Sequence, residues 1–227
     1  IQITSPTIND WQGFKNLRLE ALQNDSSAFG SSYEKEKDQP DDNWKAKLER
    51  TVGEDPKEVL IFAKDGDKYV GMIGAFPKEH DLWNIKAVYV NPSYRGRGIS
   101  KKLIQNILKH LDNRGAKVIE LSVNTNAEAA VKIYKQFGFK IYHTEKDFTF
   151  GDGKQYDKYE MRRVKPISKF KKIIKKIIIV LCILFAILYI LLQVLHSHFK
   201  LKYSRYETCR EVNTNRLIIH RWGCESG

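Results

Sequence analysis

The segment 88–100 combines glycines and arginines in a way that could bind a phosphate group. An apolar strand pattern ends at Asn91-Pro92, a glycine-rich loop follows, and an amphipathic helical pattern begins just after the loop. Gly96 and Gly98 would let the backbone approach a ligand closely. The first N–H groups of a helix have no intrahelical partner and lie at its positive dipole end. Such a helix start binds pyrophosphate well.

The same glycines have a simpler explanation, since Gly96 and Gly98 could serve only to turn a strand into a helix. Two other phosphate-binding motifs are excluded. Lys101 does not close a Gly-x-x-x-x-Gly-Lys-Ser/Thr motif, and the glycine spacing differs from that of a dinucleotide-binding fingerprint. Arg95 and Arg97 either add charge or close the turn. The segment by itself therefore indicates a phosphate site without identifying the ligand.

The elements around this segment alternate between strand and helix patterns. This order predicts an α/β fold, in which a sheet of mixed direction has helices on its faces. The clearest helix covers 96–114, where six apolar residues form one stripe and lysines occupy the other face. We predict further helices over 8–22, 26–37, 41–52 and 127–136, and strands over 1–4, 58–64, 68–76, 82–90, 117–123, 139–143 and 155–163.

The positive charge is concentrated in the last quarter of the chain. The net charge is +12, but residues 1–164 hold 27 Lys and Arg against 24 Asp and Glu, whereas residues 165–227 hold 12 against 3. No basic face with interleaved aromatic residues stands out in the first part, so we predict no nucleic-acid partner. Cys182, Cys209 and Cys224 all lie in the second part. This excludes a cysteine nucleophile or a cysteine-based zinc site from the first part, where we expect no metal. Whether the last two cysteines pair is left open.

Two segments resemble the cofactor motifs of the GNAT superfamily of acetyl-CoA-dependent N-acetyltransferases. The first family motif is Gln/Arg-x-x-Gly-x-Gly/Ala on a strand–loop–helix unit. Arg95, Gly98 and Ser100 match it, with serine at the last small position. The second is formed by residues 121–124 and 129–139, which look like the family's second cofactor segment. Both occur in the family's order and at its separation.

The resemblance covers residues 1–164 and also includes the N-terminal stretches 18–22 and 28–34, which are similar to many bacterial members. It implies a GNAT-like mixed, mostly antiparallel sheet flanked by helices. It also implies an enzyme that transfers an acetyl group from acetyl-CoA directly to a primary amine. One departure is Ala127, since many members carry Asn or Gln seven residues before the tyrosine. Asn124 or Asn126 could supply that polar contact instead.

The resemblance also implies roles for individual residues. Tyr134 would act as the general acid that protonates the departing CoA thiolate, although on an amphipathic helix it could equally be a half-buried aromatic residue. Backbone N–H groups near Val88 and Val90 would hold the acyl carbonyl and the pantetheine arm. The residues expected to contact the cofactor are Val88, Tyr89, Val90, Arg95, Gly96, Arg97, Gly98, Ile99, Ser100 and Asn124.

The acceptor amine is not readable from the sequence. We expect Tyr33 and Glu34 to line its site, because they lie in one of the similar N-terminal stretches. A base must also remove a proton from the amine before it attacks. Glu34, Glu79, His80 and Asp81 are candidates for that base, and each is also an ordinary surface or turn residue. We choose none of them.

The composition changes abruptly after the acetyltransferase-like segment. Residues 165–176 carry six lysines and no acid, and the nineteen residues of 177–195 include only one strongly polar side chain, Gln193. At about 1.5 Å per residue this run spans close to the thickness of a bilayer core. We predict a basic juxtamembrane linker, a single transmembrane helix and a basic polar tail over 196–227. The lysines place the catalytic domain in the cytoplasm.

Other interpretations remain open at this stage. The apolar run could be a buried core helix or sequence without a selected function. The whole chain could be a non-catalytic acyl-CoA-binding module at a membrane, because Ser100 and Ala127 depart from the usual pattern and no base stands out. A third interpretation is transfer of a longer acyl chain to an acceptor close to the membrane.

Overall fold

The computed structural model describes residues 1–79, 81–165 and 169–214. The contacts divide the chain into a unit of Ile1–Lys165 and the remainder. The strands of the first unit are β1 (Gln2–Thr4), β2 (Val59–Asp65), β3 (Lys68–Glu79), β4 (Leu82–Val90), β5 (Val118–Asn124), β6 (Lys140–Thr149) and β7 (Gln155–Val164). Its helices are α1 (Trp11–Asn24), α2 (Tyr33–Glu36), α3 (Asp41–Glu49), α4 (Ile99–Asn113) and α5 (Glu128–Gln136).

Within the described residues, the strands form one seven-stranded sheet in the order β1-β2-β3-β4-β5-β7-β6. All neighbouring strands are antiparallel except β4 and β5, which are parallel. Helix α4 provides the crossover that a parallel pair requires. The predicted fold class, a mixed and mostly antiparallel sheet flanked by helices, is therefore confirmed.

Alternating side chains of the strands supply two separate hydrophobic cores, one on each face of the sheet. Ile61 on β2 belongs to the core that also contains residues of α4 and α5. Its neighbour Phe62 belongs to the core that contains residues of α1 and α3. The six apolar residues of the predicted α4 stripe are all buried, namely Ile99, Leu103, Ile104, Ile107, Leu108 and Leu111.

The second unit contains one long helix, α6 (Lys169–Thr214). Its segment Lys176–His198 is 23 residues long and contains an 18-residue window that has a mean hydropathy of 3.2 and no buried residue. By length and composition this segment could cross a membrane. Residues 215–227, which complete the predicted tail and include Cys224, lie outside the described residues, as does the side chain of Cys209.

Candidate active site

A cavity of about 1090 Å³ opens in the first unit where β4 and β5 separate. The two strands are paired only as far as Ile85 opposite Leu121. Beyond that point the rest of β4 has no partner on the β5 side, and this part of the strand lines the cavity. Apart from the Val90 carbonyl, which accepts a hydrogen bond from Arg95, the backbone groups on that edge of β4 are therefore available to a ligand.

A β-bulge shapes the free part of β4. Met72 pairs with Tyr89 and Gly74 pairs with Lys86, so two residues of β4 face one residue of β3. Ala87 lies in this bulge with φ of 56°, a left-handed conformation that is unusual for a residue other than glycine. Bulges of this kind interrupt the ladder and are common next to active sites. Here the bulge bends β4 at the cavity wall.

The predicted phosphate-binding turn lies at the end of this strand. Gly96 and Gly98 have φ values of 77° and 75°, and a Cβ atom placed on either glycine would meet no other atom within 4 Å. The glycines are therefore required by the backbone conformation and leave open space above the loop. The first backbone bond of α4 joins the Lys102 N–H to the Gly98 carbonyl at 3.2 Å. The N–H groups before Lys102 are free of intrahelical partners and can bind an anion.

Both arginines of the loop make contacts that close the turn. Arg95 donates from Nε to the Val90 carbonyl at 3.0 Å and forms an ion pair with Asp25 at 2.5 Å. Arg97 donates to the Ser93 carbonyl at 3.3 Å. The guanidinium of Arg95 therefore ties the loop to the end of β4 and to the end of α1, and it also lines the cavity.

Tyr134, on α5, is a further residue of the cavity lining. The residue is 7% exposed and packs edge-on against Phe139. Its hydroxyl makes no hydrogen bond with any described residue, and Tyr134 lines the cavity. Burial raises the pKa of this phenol above its ordinary value. The hydroxyl therefore stays protonated at neutral pH, as a proton donor must.

Only some of the predicted cofactor residues line the cavity. Val88, Tyr89, Val90, Arg95, Ser100 and Asn124 all line the cavity together with Tyr134. Gly96, Arg97, Gly98 and Ile99 form the loop and helix start beside it without lining it, and the Ile99 side chain is buried in the core. The Tyr89 hydroxyl donates to Glu20 at 2.8 Å on the α1 side of the sheet.

Asn124 holds the end of β5 in place. Its side-chain amide donates to the Ser27 carbonyl at 3.1 Å and accepts from the Asn126 N–H at 2.9 Å. Asn124 is buried, whereas Asn126 is exposed and lines the cavity. Asn124 and Asn126 were the two residues that could replace the polar contact missing at Ala127. Of these, only Asn126 has a side chain that makes no hydrogen bond with a described residue.

The two expected acceptor residues are not part of the cavity lining. The Glu34 side chain is 72% exposed and pairs with Lys37 at 2.6 Å, and Tyr33 packs against the core beneath α1. Neither residue lines the cavity. Of the other base candidates, Asp81 pairs with Lys117, Glu79 does not line the cavity either, and His80 lies outside the described residues.

The structure brings charged residues to the cavity that sequence reasoning missed. They come from α1, α2, α3, β4 and the segment before β2, and they share the α1 face of the sheet. No local motif marks them, because they are scattered along the chain and meet only through the packing of three helices. These residues are Arg18, Glu36, Lys47, Arg50, Glu58 and Lys86.

The chain belongs to the acetyltransferase (GNAT) family, whose sequence model matches residues 18–139. This range contains the glycine loop, the free part of β4 and Tyr134. It confirms the resemblance inferred from the two cofactor-like motifs. Among the residues that the structure describes, no group of His, Cys, Asp or Glu side chains is arranged to hold a metal ion.

Curated relatives match only part of the chain. Mycothiol acetyltransferase of Corynebacterium efficiens is 32% identical over 36% of this chain and 28% of its own length. The L-amino acid N-acetyltransferase AaaT of Escherichia coli is 33% identical over 34% of this chain and 49% of its own length. The chain therefore matches less than half the length of these relatives.

Solved structures show the same fold at low sequence identity. A GNAT-family acetyltransferase from Streptococcus pneumoniae has a TM-score of 0.64 at 16% identity and covers 72% of this chain and 99% of its own. The yncA protein of Salmonella typhimurium, solved with its cofactor acetyl-CoA, has a TM-score of 0.62 at 15% identity over 74% of this chain and 98% of its own.

Proposed function

We propose that this protein transfers an acetyl group from acetyl-CoA to a primary amine. The observation that carries the proposal is the cavity between β4 and β5, which is lined both by the free backbone edge of β4 and by Tyr134. An acyl transfer needs donors for the oxygen that becomes negative and an acid for the leaving group. Groups of both kinds line this one cavity.

The cavity and loop fit acetyl-CoA. The open space above Gly96 and Gly98 and the free N–H groups of α4 suit the pyrophosphate. The β4 edge near Val88 and Val90 suits the amide groups of the pantetheine arm, since an extended chain can pair with a free strand edge.

In the reaction, backbone N–H groups of β4 donate to the thioester oxygen and stabilise the negative charge that develops on it. The amine attacks the carbonyl carbon directly, which fits the absence of cysteine from residues 1–164. The Tyr134 hydroxyl gives its proton to the departing sulfur. A general base within the described residues is not assigned, and a water could carry the amine proton away.

We also propose that the apolar segment 177–195 anchors residues 1–164 to a membrane. The length and hydropathy of Lys176–His198 support a single span. The six lysines of 165–176 favour the cytoplasmic side for the preceding domain, where acetyl-CoA is made.

Replacing Tyr134 with phenylalanine tests the catalytic role. The variant loses the proton donor, so we expect the turnover number for CoA release to fall about a hundredfold to ten-thousandfold. The affinity for acetyl-CoA and the melting temperature should stay the same, since the hydroxyl makes no hydrogen bond with a described residue. Tyr156→Phe is the control, because this tyrosine donates to Asp152 away from the cavity. Equal turnover by Tyr134→Phe and wild type would instead support a non-catalytic acyl-CoA-binding module.

A further inference from the structure

The end of the cavity on the α1 face carries two ionic triads of the same composition. In the first, Glu36 pairs with Arg18 at 2.7 Å and with Lys47 at 3.6 Å. In the second, Glu58 pairs with Arg50 at 3.2 Å and with Lys86 at 2.6 Å. Each triad has two cations and one carboxylate, and all six residues line the cavity. The six triad residues together therefore carry a net charge of +2.

The triads lie on the acceptor side rather than on the cofactor side. Arg18 and Lys47 come from α1 and α3, which pack on the opposite face of the sheet from α4. The glycine loop leads directly into α4, and Tyr134 is on α5, which packs on the same face as α4. The cavity passes through the opening between β4 and β5 and so joins the two faces. If acetyl-CoA enters on the α4 face, the triads face the incoming amine.

Arg18 is the best-positioned of the four cations. Its side chain is 13% exposed, it donates to both oxygens of Glu36 at 3.3 and 2.7 Å, and its guanidinium lies 4.8 Å from the centroid of the Phe29 ring. The bonds to Glu36 use two of the five N–H donors of a guanidinium. The remaining donors of a fixed, partly desolvated arginine are well suited to a second carboxylate.

Glu36 does not prevent Arg18 from binding a second carboxylate, because Glu36 pairs with Lys47 as well as with Arg18. Burial would raise the pKa of Glu36, but the hydrogen bonds and charge of Arg18 outweigh burial and hold the pKa below its usual value. The carboxylate is thus ionised and balances only one of the two cations beside it. Lys47 also donates to Gln39 at 2.8 Å, which fixes the second cation in place.

We infer that the acceptor amine carries a carboxylate close to its amino group and that Arg18, supported by Lys47, binds this carboxylate. The inference rests on the proposed acetyl transfer and names the class of its acceptor. A polyamine is disfavoured, because it would bring only positive charge to a site that is already positive. A free amino acid and a peptide with an acidic second residue both provide the required chemistry.

Matched acceptor pairs test this inference on the full chain in detergent with acetyl-CoA. Leucine is compared with leucinamide, and leucyl-aspartyl amide with leucyl-asparaginyl amide, while spermidine represents polyamines. Rates are compared per concentration of unprotonated amine, since an amide changes the pKa of the amine. In one of the two pairs, we expect kcat/KM to be at least about tenfold higher for the member that carries the carboxylate. A change of this size corresponds to the free energy of one hydrogen bond to a charged group. A preference within the first pair would identify a free amino acid as the acceptor, and a preference within the second would identify a peptide with an acidic second residue.

Variants show whether Arg18 is responsible. Arg18→Gln combined with Glu36→Gln removes both charges without leaving one buried alone, and Lys47→Gln removes the supporting cation. Both should reduce the preference for the carboxylate member, chiefly through KM. Lys15→Gln is the control, because this lysine is on the same helix and pairs with Asp41 outside the cavity.

The outcomes separate this inference from the proposed function. Equal rates for both members of each pair, or faster turnover of spermidine, would overturn the inference and leave acetyl transfer standing. A preference that is unchanged in the double variant would also overturn it. A chain that binds acetyl-CoA but reacts with none of these amines would overturn the inference alone. A folded chain that does not bind acetyl-CoA would overturn both.

Discussion

At the scale of single residues, the cavity depends on charges that are held in place by their neighbours. Glu36 is nearly buried and ionised because Arg18 and Lys47 pair with it. A carboxylate whose pKa is lowered by folding stabilises the native state above its unfolded pKa. That contribution is lost as the pH falls through the folded pKa. The ion pair thus links the stability of the acceptor side to pH.

Replacing Glu36 with glutamine should therefore flatten the acid side of the stability curve. Wild type should lose the contribution of Glu36 below about pH 4.3, the ordinary value for a glutamate, whereas Glu36→Gln lacks it at every pH. Urea unfolding at pH 7 and at acidic pH gives the free energies to compare. Glu34→Gln is a matched control on the same short helix, since its carboxylate is 72% exposed. An unchanged acid dependence in Glu36→Gln would contradict this account.

The sequence identified some site residues and missed others for a physical reason. Gly96, Gly98 and Tyr134 lie in local motifs, and a local motif can be read from one segment. Tyr33 and Glu34 were expected to line the acceptor site, but they do not line the cavity. The six charged residues that do line its α1 side come from five separate segments. Only tertiary packing brings them together, so no local pattern reports them.

At the scale of elements, the site is built by an interruption in the sheet. The alternation and stripe patterns predicted six of the seven strands and the α4 helix closely, but the strand expected over 139–143 extends to Thr149 as β6. They did not predict that β7 lies between β5 and β6, or that β4 and β5 stay paired only as far as Ile85 and Leu121. The region expected as one helix over 26–37 forms a 3-10 turn at Ser26–Ala28 and the short α2. Strand pairing is a long-range property, so hydrophobic periodicity cannot specify it.

Asn124 joins two of these elements, and its removal should loosen them. Asn124→Ala leaves the Ser27 carbonyl and the Asn126 N–H without their partners, so we expect a loss of about 2 kcal/mol in the free energy of unfolding. Asn106→Ala is the control, because Asn106 makes an exposed bond to the Lys102 carbonyl on α4. Urea unfolding measures both. Equal stability of the two variants would show that Asn124 does not hold the end of β5.

At the scale of the whole molecule, we propose that an acetyltransferase domain is joined to a membrane anchor. The helix α6 contains an apolar segment of sufficient length, and residues 1–165 form a unit with its own cores. The composition of the second unit made the helix predictable from the sequence, because a run of nineteen residues with only one strongly polar side chain is typical of a membrane-spanning helix.

Charged substitutions test the anchor. Leu184→Arg combined with Leu188→Arg places two charges in the middle of the apolar segment, and each costs about 3 kcal/mol in a bilayer. We expect wild type to stay in the membrane fraction after alkaline carbonate extraction and the double variant to be released. Leu184→Ala combined with Leu188→Ala controls for the loss of leucine side chains. Release of wild type by carbonate would contradict membrane insertion.

The most direct test of the central claim is a calorimetric titration of the chain with acetyl-CoA. We expect wild type to bind and Gly98→Glu to lose at least about tenfold in affinity, because the variant adds a negative charge and a strained left-handed side chain at the phosphate site. Gly115→Glu is the control at the other end of α4, where the glycine has φ of 79° and similar open space. It should bind as wild type does. Failure of folded wild type to bind acetyl-CoA, or equal binding by Gly98→Glu, would contradict the account.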